Sequence, residues 1–402
     1  MTDITVQLAR LREAGLERRT RLISGPQGPR VLLDGTPVLL LCSNNYLGFA
    51  DHPRVREAAA DAAMRWGVGA GASRLVSGTM TIHERLERRL AEFEETEACV
   101  LFGSGYLANI GVLTALGDAG RTIFSDALNH ASIIDGCRLA RASTFVYDHC
   151  DLDHLQWALR KHGQDGDVIV TDSVFSMDGD VAPLAGIVEL ARRHGVRVVV
   201  DEAHATGALG PGGRGAIAEA GLDGQVDVLV GTLSKTLGSY GGYVCASGEI
   251  VELLINSARS LIFSTAPSPP AIAGALAALE MLIEQPLRPE KLQATAELLR
   301  RELAAAGMPA AGGRTQIIPL IIGDADTAVR LAEAVLARGV FAPAIRPPTV
   351  PEGTSRLRLT VMASHTATEL AGAVAALGAA AADLGIKLAA PPSALEPVAR
   401  AA

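Results

Sequence analysis

A single lysine, Lys235, stands in "LVGTLSKTLGSYGGY", five residues beyond Val230, the end of an apolar run. Its near neighbours are Gly, Ser and Thr, and no acid lies close to it in the local sequence. An amine kept from acidic partners and partly desolvated favours its neutral form, which condenses with carbonyl groups. Other apolar runs also end in reactive residues. "VRVVV" is followed by "DEAHATG", which puts Asp201 at the end of the run and His204 three residues on. "DVIVTDSV" leads to "FSMDGD" with Ser176, and "RTIFS" leads to "DALNHAS" with His130. "ACVLF" leads to "GSGYLAN", a glycine-rich turn holding Gly105 and Tyr106, and Thr232 closes the run before the lysine.

One chemistry uses this whole set. Pyridoxal phosphate is an aldehyde that a lysine can hold as a Schiff base. It needs a carboxylate to keep its ring nitrogen protonated, a donor near its phenolic oxygen, a flat group on its face, and anion-binding amides and hydroxyls for its phosphate. Asp201, His204, His130, and the amides of Gly105 and Tyr106 with the Thr232 hydroxyl supply these in turn, with Lys235 as the carbonyl-binding amine. Two competing motifs fail. "DEAH" as a magnesium site of an ATPase requires an upstream Gly-x-x-x-x-Gly-Lys-Ser/Thr loop, and the chain has none. "GPGGRG" fits a dinucleotide pattern but contains Pro211 and does not join a strand directly to a helix. His83, in "TIHERLE", has helical surroundings and is expected to be structural or at an interface.

The elements that must present these residues alternate. Strands are expected at 98–102, 121–125, 143–147, 167–174, 196–201, 226–231 and 241–247, several apolar on consecutive positions, as strands covered on both faces are. Amphipathic helices such as "PLAGIVELARRHG" intervene and end at glycine. This α/β alternation implies a mostly parallel central sheet with helices on both faces, and such sheets bind ligands at the carboxyl ends of their strands. From about residue 286 long helices and two strands, "TQIIPLIIG" and "SRLRLTVMA", suggest a smaller C-terminal α+β domain. The expected organisation is an N-terminal helix and arm (1–45), a large cofactor domain (46–285), the small domain (286–388) and a frayed tail (389–402). In "SRLRLTVMA", Arg356 and Arg358 alternate, so one is expected to face solvent and the other the site.

Composition narrows the class. The chain has 402 residues, enough for a sizeable core, with 49% hydrophobic and 20% charged residues. A net charge of −8 argues against a nucleic-acid partner. Five scattered cysteines without a Cys-x-x-Cys suggest neither a disulfide framework nor a metal site, and point to a reducing cytoplasm. No stretch is long and apolar enough for a membrane span.

From about Leu41 to His365 the chain resembles the α-oxoamine synthase family of fold-type I pyridoxal-phosphate enzymes. The resemblance rests on "SNNYLG", "GAGASRLVSG", "GSGYLAN", "NHASIIDG", "VFSMDGD", "DEAHATG", "GTLSKTLGSYGG", "FSTAPSP" and "RLRLTVMASH", in that order and spacing. It implies a homodimer that condenses an amino acid with an acyl thioester and releases carbon dioxide. It also implies that Lys235 holds the cofactor and later moves protons, that Asp201 pairs with the ring nitrogen, and that His130 stacks on the ring. His204 with Ser176 would lie near the phenolic oxygen. Gly105, Tyr106 and Thr232 would hold cofactor, and Thr265 would reach its phosphate across the dimer interface. Arg358 would grip the amino-acid carboxylate, with Asn44, Arg346 and Thr349 on the substrate side. "AIRPPTVPEGTSRLRLT" points within the family to use of L-alanine with a pimeloyl thioester, of coenzyme A or an acyl carrier protein, in biotin synthesis. The alternatives are glycine or serine with another thioester, or a non-catalytic subunit, which should lack the lysine.

Overall fold

The computed structural model describes residues 3–13, 16–308, 310, 313–386 and 388, so the tail expected at 389–402 lies outside the described residues. After a short helix (Ile4–Glu13), strands β1 (Ile23–Ser24), β2 (Arg30–Leu33) and β3 (Thr36–Leu40) form an antiparallel meander. Asp34 and Gly35 turn its second hairpin, both at positive φ (49° and 82°), as a two-residue hairpin that follows the strand twist requires.

Seven strands then build the central sheet: β4 (Ala98–Phe102), β5 (Thr122–Asp126), β6 (Ser143–Tyr147), β7 (Val168–Asp172), β8 (Arg197–Asp201), β9 (Val228–Thr232) and β10 (Gly242–Ala246). Their order is β4-β10-β9-β8-β7-β5-β6, and pairing is parallel from β9 to β6. All seven expected strands form, with bounds shifted by a residue or two. β10 alone runs antiparallel to its neighbours, β4 and β9, because the chain returns through residues 233–241 without a crossover helix.

Side chains alternate between two cores. Leu101, Ile169, Val198, Val200, Leu229 and Tyr243 face one apolar cluster, while Val100, Val170, Val199, Val230 and Val244 face the other. A sheet buried on both faces explains the unbroken apolar runs. The helix read from "PLAGIVELARRHG" spans Leu184–His194, and Gly195 closes it in the left-handed conformation (φ 66°).

Late in the chain come β11 (Ile317–Gly323), β12 (Val340–Phe341), β13 (Ala344–Ile345) and β14 (Ser355–Thr360). β11, β14 and β13 form a three-stranded antiparallel sheet with β14 in its centre. β12 pairs parallel with β3, joining the N-terminal meander to the late chain. A long helix (Ala367–Asp383), started by a Thr366–Glu369 capping box, packs on this region.

Candidate active site

The carboxyl ends of β5, β7, β8 and β9 and the start of β10 lie on one edge of the sheet. Asp172 is in register with Asp201, and Gly242 with both Phe102 and Thr232. At that edge the chain leaves a cleft of about 220 Å³. Seven residues named from the sequence line it: Gly105, Tyr106, His130, Asp201, His204, Thr232 and Lys235. Ser104, Ser132, Asp172, Ala203 and Ser234 complete the wall.

Lys235 sits in a tight loop after β9, closed by the Gly238 amide on the Lys235 carbonyl (3.0 Å). Gly238 has φ 60°, and a Cβ there would stand 2.4 Å from the Ala50 amide nitrogen, so only glycine lets this loop press against residues 49 and 50. Among the described residues Lys235 makes no ion pair. Burial pushes its ammonium below the ordinary lysine value, against the pull of Asp201 and Asp172 and with a push from Arg358.

Asp201 is held at both oxygens. One accepts a hydrogen bond from the Asn109 side-chain amide (2.6 Å), the other from the Ala203 amide (2.8 Å). Asn109 also donates to Ser132 Oγ (2.9 Å), which lies 2.7 Å from His130 Nδ1. Acid, amide, hydroxyl and imidazole thus form one chain across the cleft floor. Burial, then the neighbouring Asp201 charge, pushes Asp172 well above the usual carboxylate range, and its Oδ2 accepts from the His130 amide (2.7 Å). His130 starts the helix Ala131–Leu139 as its N-cap and leaves its ring open to the cleft. Burial of the ring's other side holds its pKa down.

His204 is buried, with Nδ1 2.7 Å from the hydroxyl of fully buried Tyr46. Burial first, then the Lys235 and Arg358 charges, hold it well below its ordinary value, so it is a neutral imidazole. The Tyr46 hydroxyl also lies 3.1 Å from Asn44 Oδ1, which accepts from both terminal nitrogens of Arg358 at 3.3 Å. His204, Tyr46, Asn44 and Arg358 therefore connect the cleft to the small sheet.

A second cradle lies at the start of the helix Gly105–Leu116. Ser104 caps it by accepting from the Leu107 amide (3.2 Å), and the first amides have no intrahelical acceptor. Beside them are the hydroxyls of Thr232 and Ser234, 2.8 Å apart. A Cβ at Gly242 would come within 2.4 Å of the Gly105 amide nitrogen, so glycine there keeps the helix end tight against the sheet edge. Free amides, two hydroxyls and a positive helix end suit a phosphate.

The remaining candidates lie outside this cleft. Ser176 lines a neighbouring cavity of about 700 Å³ with Asp178 and residues 347–352, and its carbonyl accepts from Arg358 Nε. Arg346 and Thr349 border a larger cavity of about 840 Å³ with Glu17, Arg18 and Arg21, and Arg346 donates to the Glu17 carbonyl (2.8 Å). Thr265 is exposed and bridges Ser73, away from the Lys235 cleft of its own chain. His83 is buried, with Nδ1 accepting from the Met80 amide and Nε2 2.8 Å from the Pro267 carbonyl, a structural arrangement. The expectation that Arg356 or Arg358 faces solvent is corrected: two residues apart on β14, they share a face, and both are buried against the loop at 176–178, where Arg356 (1% exposed) pairs with Asp178 and Arg358 donates to the Ser176 carbonyl.

Behind Asp201 lies a pair of buried acids. Glu94 accepts from the hydroxyls of Tyr243 (2.8 Å) and Thr206 (3.4 Å), and Glu202 from the amides of Ala216 (2.8 Å) and Ile217 (3.0 Å). Burial raises Glu94 to about 8 and Glu202 to about 7.

A sheet edge carrying an amine, a tethered acid, two imidazoles and an anion cradle defines a pyridoxal-phosphate site, and the donor set fits that cofactor. The profile described as "Aminotransferase class I and II" matches residues 36–377. The chain belongs to that family of fold-type I pyridoxal-phosphate proteins, within its α-oxoamine synthase branch. It is 50% identical over 389 residues to the 8-amino-7-oxononanoate synthase of Geobacter sulfurreducens, covering 96% of this chain and 99% of the relative. A solved structure of SPT with its PLP internal aldimine superimposes with a TM-score of 0.90 at 31% identity, covering 95% of this chain and 97% of the other. The 8-amino-7-oxononanoate synthase of Francisella tularensis superimposes at 0.75 with 25% identity, over 87% and 99% of the two chains.

Proposed function

We propose that this chain performs the 8-amino-7-oxononanoate synthase reaction: decarboxylative condensation of L-alanine with a pimeloyl thioester, of coenzyme A or an acyl carrier protein, in biotin synthesis. The observation that carries this reading is the half-identity, over nearly the whole of both chains, to a relative of that name. The cofactor, when bound, supplies an electron-accepting ring that makes an amino-acid α-carbon acidic near neutral pH.

The chain's own residues do the rest. Lys235 would hold the cofactor through Nζ, and its depressed basicity suits it to take the α-proton once displaced. Asp201, fixed by Asn109 and the Ala203 amide, would hold a proton at the ring nitrogen. His130 would cover one ring face. Neutral His204, its Nδ1 held 2.7 Å from the Tyr46 hydroxyl, would turn Nε2 towards the phenolic oxygen. Gly105, Tyr106, Thr232 and Ser234 would take the phosphate, joined by Thr265 of a second copy in a homodimer. Arg358 would grip the alanine carboxylate in place of its two long bonds to Asn44, a bidentate task suited to a guanidinium. Arg346 and Thr349, which line a neighbouring cavity, would face the acyl substrate, whereas Ser176, expected beside the phenolic oxygen with His204, lies in a cavity next to the Lys235 cleft. The five cysteines are unpaired, in keeping with a cytoplasmic setting.

The test is a matrix of L-alanine, glycine and L-serine against pimeloyl and other acyl thioesters, read by thiol release and product mass. The expected product is 8-amino-7-oxononanoate from L-alanine. Strong preference for glycine would overturn the substrate assignment.

A further inference from the structure

His149 follows β6 and takes no part in the chemistry above. Its Nδ1 lies 2.9 Å from Asp126 Oδ1 and its Nε2 lies 2.8 Å from Asp180 Oδ2. Each ring nitrogen faces a carboxylate oxygen, so each carries a hydrogen and the ring is a cation. Asp126, Cys150 and His149 bring ligand-type atoms within 4.8 Å of one another, but both ring nitrogens are engaged in these bonds, which leaves no lone pair for a metal ion. The carboxylate of Asp126 is buried at the end of β5 and also accepts from the amides of Leu128 and Cys150, both at 2.8 Å, so it is a fixed anchor.

Asp180 ends a loop in which every residue is tethered. The Ser176 carbonyl accepts from Arg358 Nε, and Arg356 holds both the Met177 carbonyl (3.4 Å) and the Asp178 carboxylate. The Gly179 carbonyl accepts from Thr315 Oγ1 (2.7 Å). Gly179 has φ 71°, and a Cβ there would stand 2.4 Å from the Ile317 carbonyl oxygen, so the loop is pressed onto β11. These four tethers come from β14 or the lead-in to β11. The fifth, Asp180 to His149, is a side-chain tether to the central sheet, added to the backbone pairing at the loop's neck, where Val174 bridges Val181 and the Phe175 amide donates to the Asp180 carbonyl (3.1 Å). Phe175 supports it by packing edge-on to the imidazole with centroids 4.4 Å apart.

We propose that His149 is a positioning residue for Arg358: it locks the loop Ser176–Asp180 to the central sheet, and the loop's first carbonyl fixes the guanidinium that meets the amino-acid carboxylate. The inference rests on the role given above to Arg358. Losing the lock leaves the loop held to the central sheet only by the backbone pairing at its neck, so its outer residues can shift with the small sheet and Arg358 then samples orientations that miss the carboxylate.

The experiment compares His149→Gln, Asp180→Ala and the double variant with the parent. Asp180 has a side chain about one-third exposed, so its removal leaves the fold intact if loss of the imidazole does not. The L-alanine dissociation constant, followed by the change in cofactor absorption, is expected to rise about tenfold in each single variant and no further in the double, as for groups acting through one contact. Cofactor affinity stays within about twofold. In cofactor-free protein, the amides of Phe175 and Gly179 exchange faster. An unchanged L-alanine constant in folded Asp180→Ala, or cofactor affinity falling in step with it, would overturn the proposal. If the parent itself fails to bind L-alanine, the functional reading fails, and unchanged loop exchange in the variants still refutes the lock separately.

Discussion

Glu94→Gln isolates a buried charge behind the cleft. Burial raises the Glu94 carboxyl from 4.5 to about 8, and it faces two hydroxyl donors. Between those two values the folded protein keeps a proton that the unfolded chain has lost. The folded state therefore binds more protons, and stability falls as pH rises through this window. At about 1.4 kcal/mol per unit, ionisation of this carboxyl in the unfolded chain lowers stability by roughly 2 kcal/mol by about pH 6 and by roughly 4 by about pH 8. Glutamine keeps the shape and carries no proton to lose. The stability difference, variant minus parent, should thus grow by about 2 kcal/mol from pH 6 to pH 8. Urea midpoints multiplied by a common slope measure it, with protein and cofactor concentrations held constant. Glu202 titrates in both proteins and cancels to first order. A difference flat to within about 0.5 kcal/mol across that range would refute the assignment of a protonated Glu94 to the folded state.

Lys235→Ala should abolish turnover and the visible absorption of bound cofactor while leaving the melting temperature of cofactor-free protein at or above the parent's, since a buried amine is removed; retained turnover would count decisively against the site. Tyr46→Phe removes the partner of His204 Nδ1 and should cost about 1–3 kcal/mol in urea unfolding, with a shifted cofactor band; an unshifted band would show that the hydroxyl does not orient the imidazole. Gly238→Ala meets both a left-handed φ and a 2.4 Å contact, so at least 1–3 kcal/mol of destabilisation and slowed cofactor capture are expected, the latter measured by absorbance after mixing.

The central sheet was legible because its strands are buried on both faces, and such burial writes continuous apolar runs into the sequence. Lys235, Asp201, His204 and His130 were legible because each follows such a run. Asn109, Asp172 and Tyr46 were missed, although all three stand in stretches quoted above. Asn109 is an isolated polar residue on an apolar helix one turn beyond Gly105, and Asp172 closes a strand in register with Asp201; both signals depend on knowing which strands adjoin. Arg356 was misjudged because residues two apart on a strand share a face, so Arg356 and Arg358 both meet the loop at 176–178 that covers that face of β14. The meander at 23–40 was missed within the segment read as helix and arm, although the Asp34–Gly35 pair marks its second hairpin, and its partner strand β12 lies some three hundred residues away, beyond any local pattern.

The return of the chain into β10 leaves the reactive amine on a stapled hairpin. Thr232 and Gly242 are paired across its base, and the Leu233 and Ser239 amides close it further by binding Gly241 and Leu233 carbonyls. Such a tip has little freedom to slide, so the amine travels only as far as its own four methylenes swing. An analogue with one methylene fewer at this position would fall short of its target, because the main chain beneath has no slack to make up the lost length.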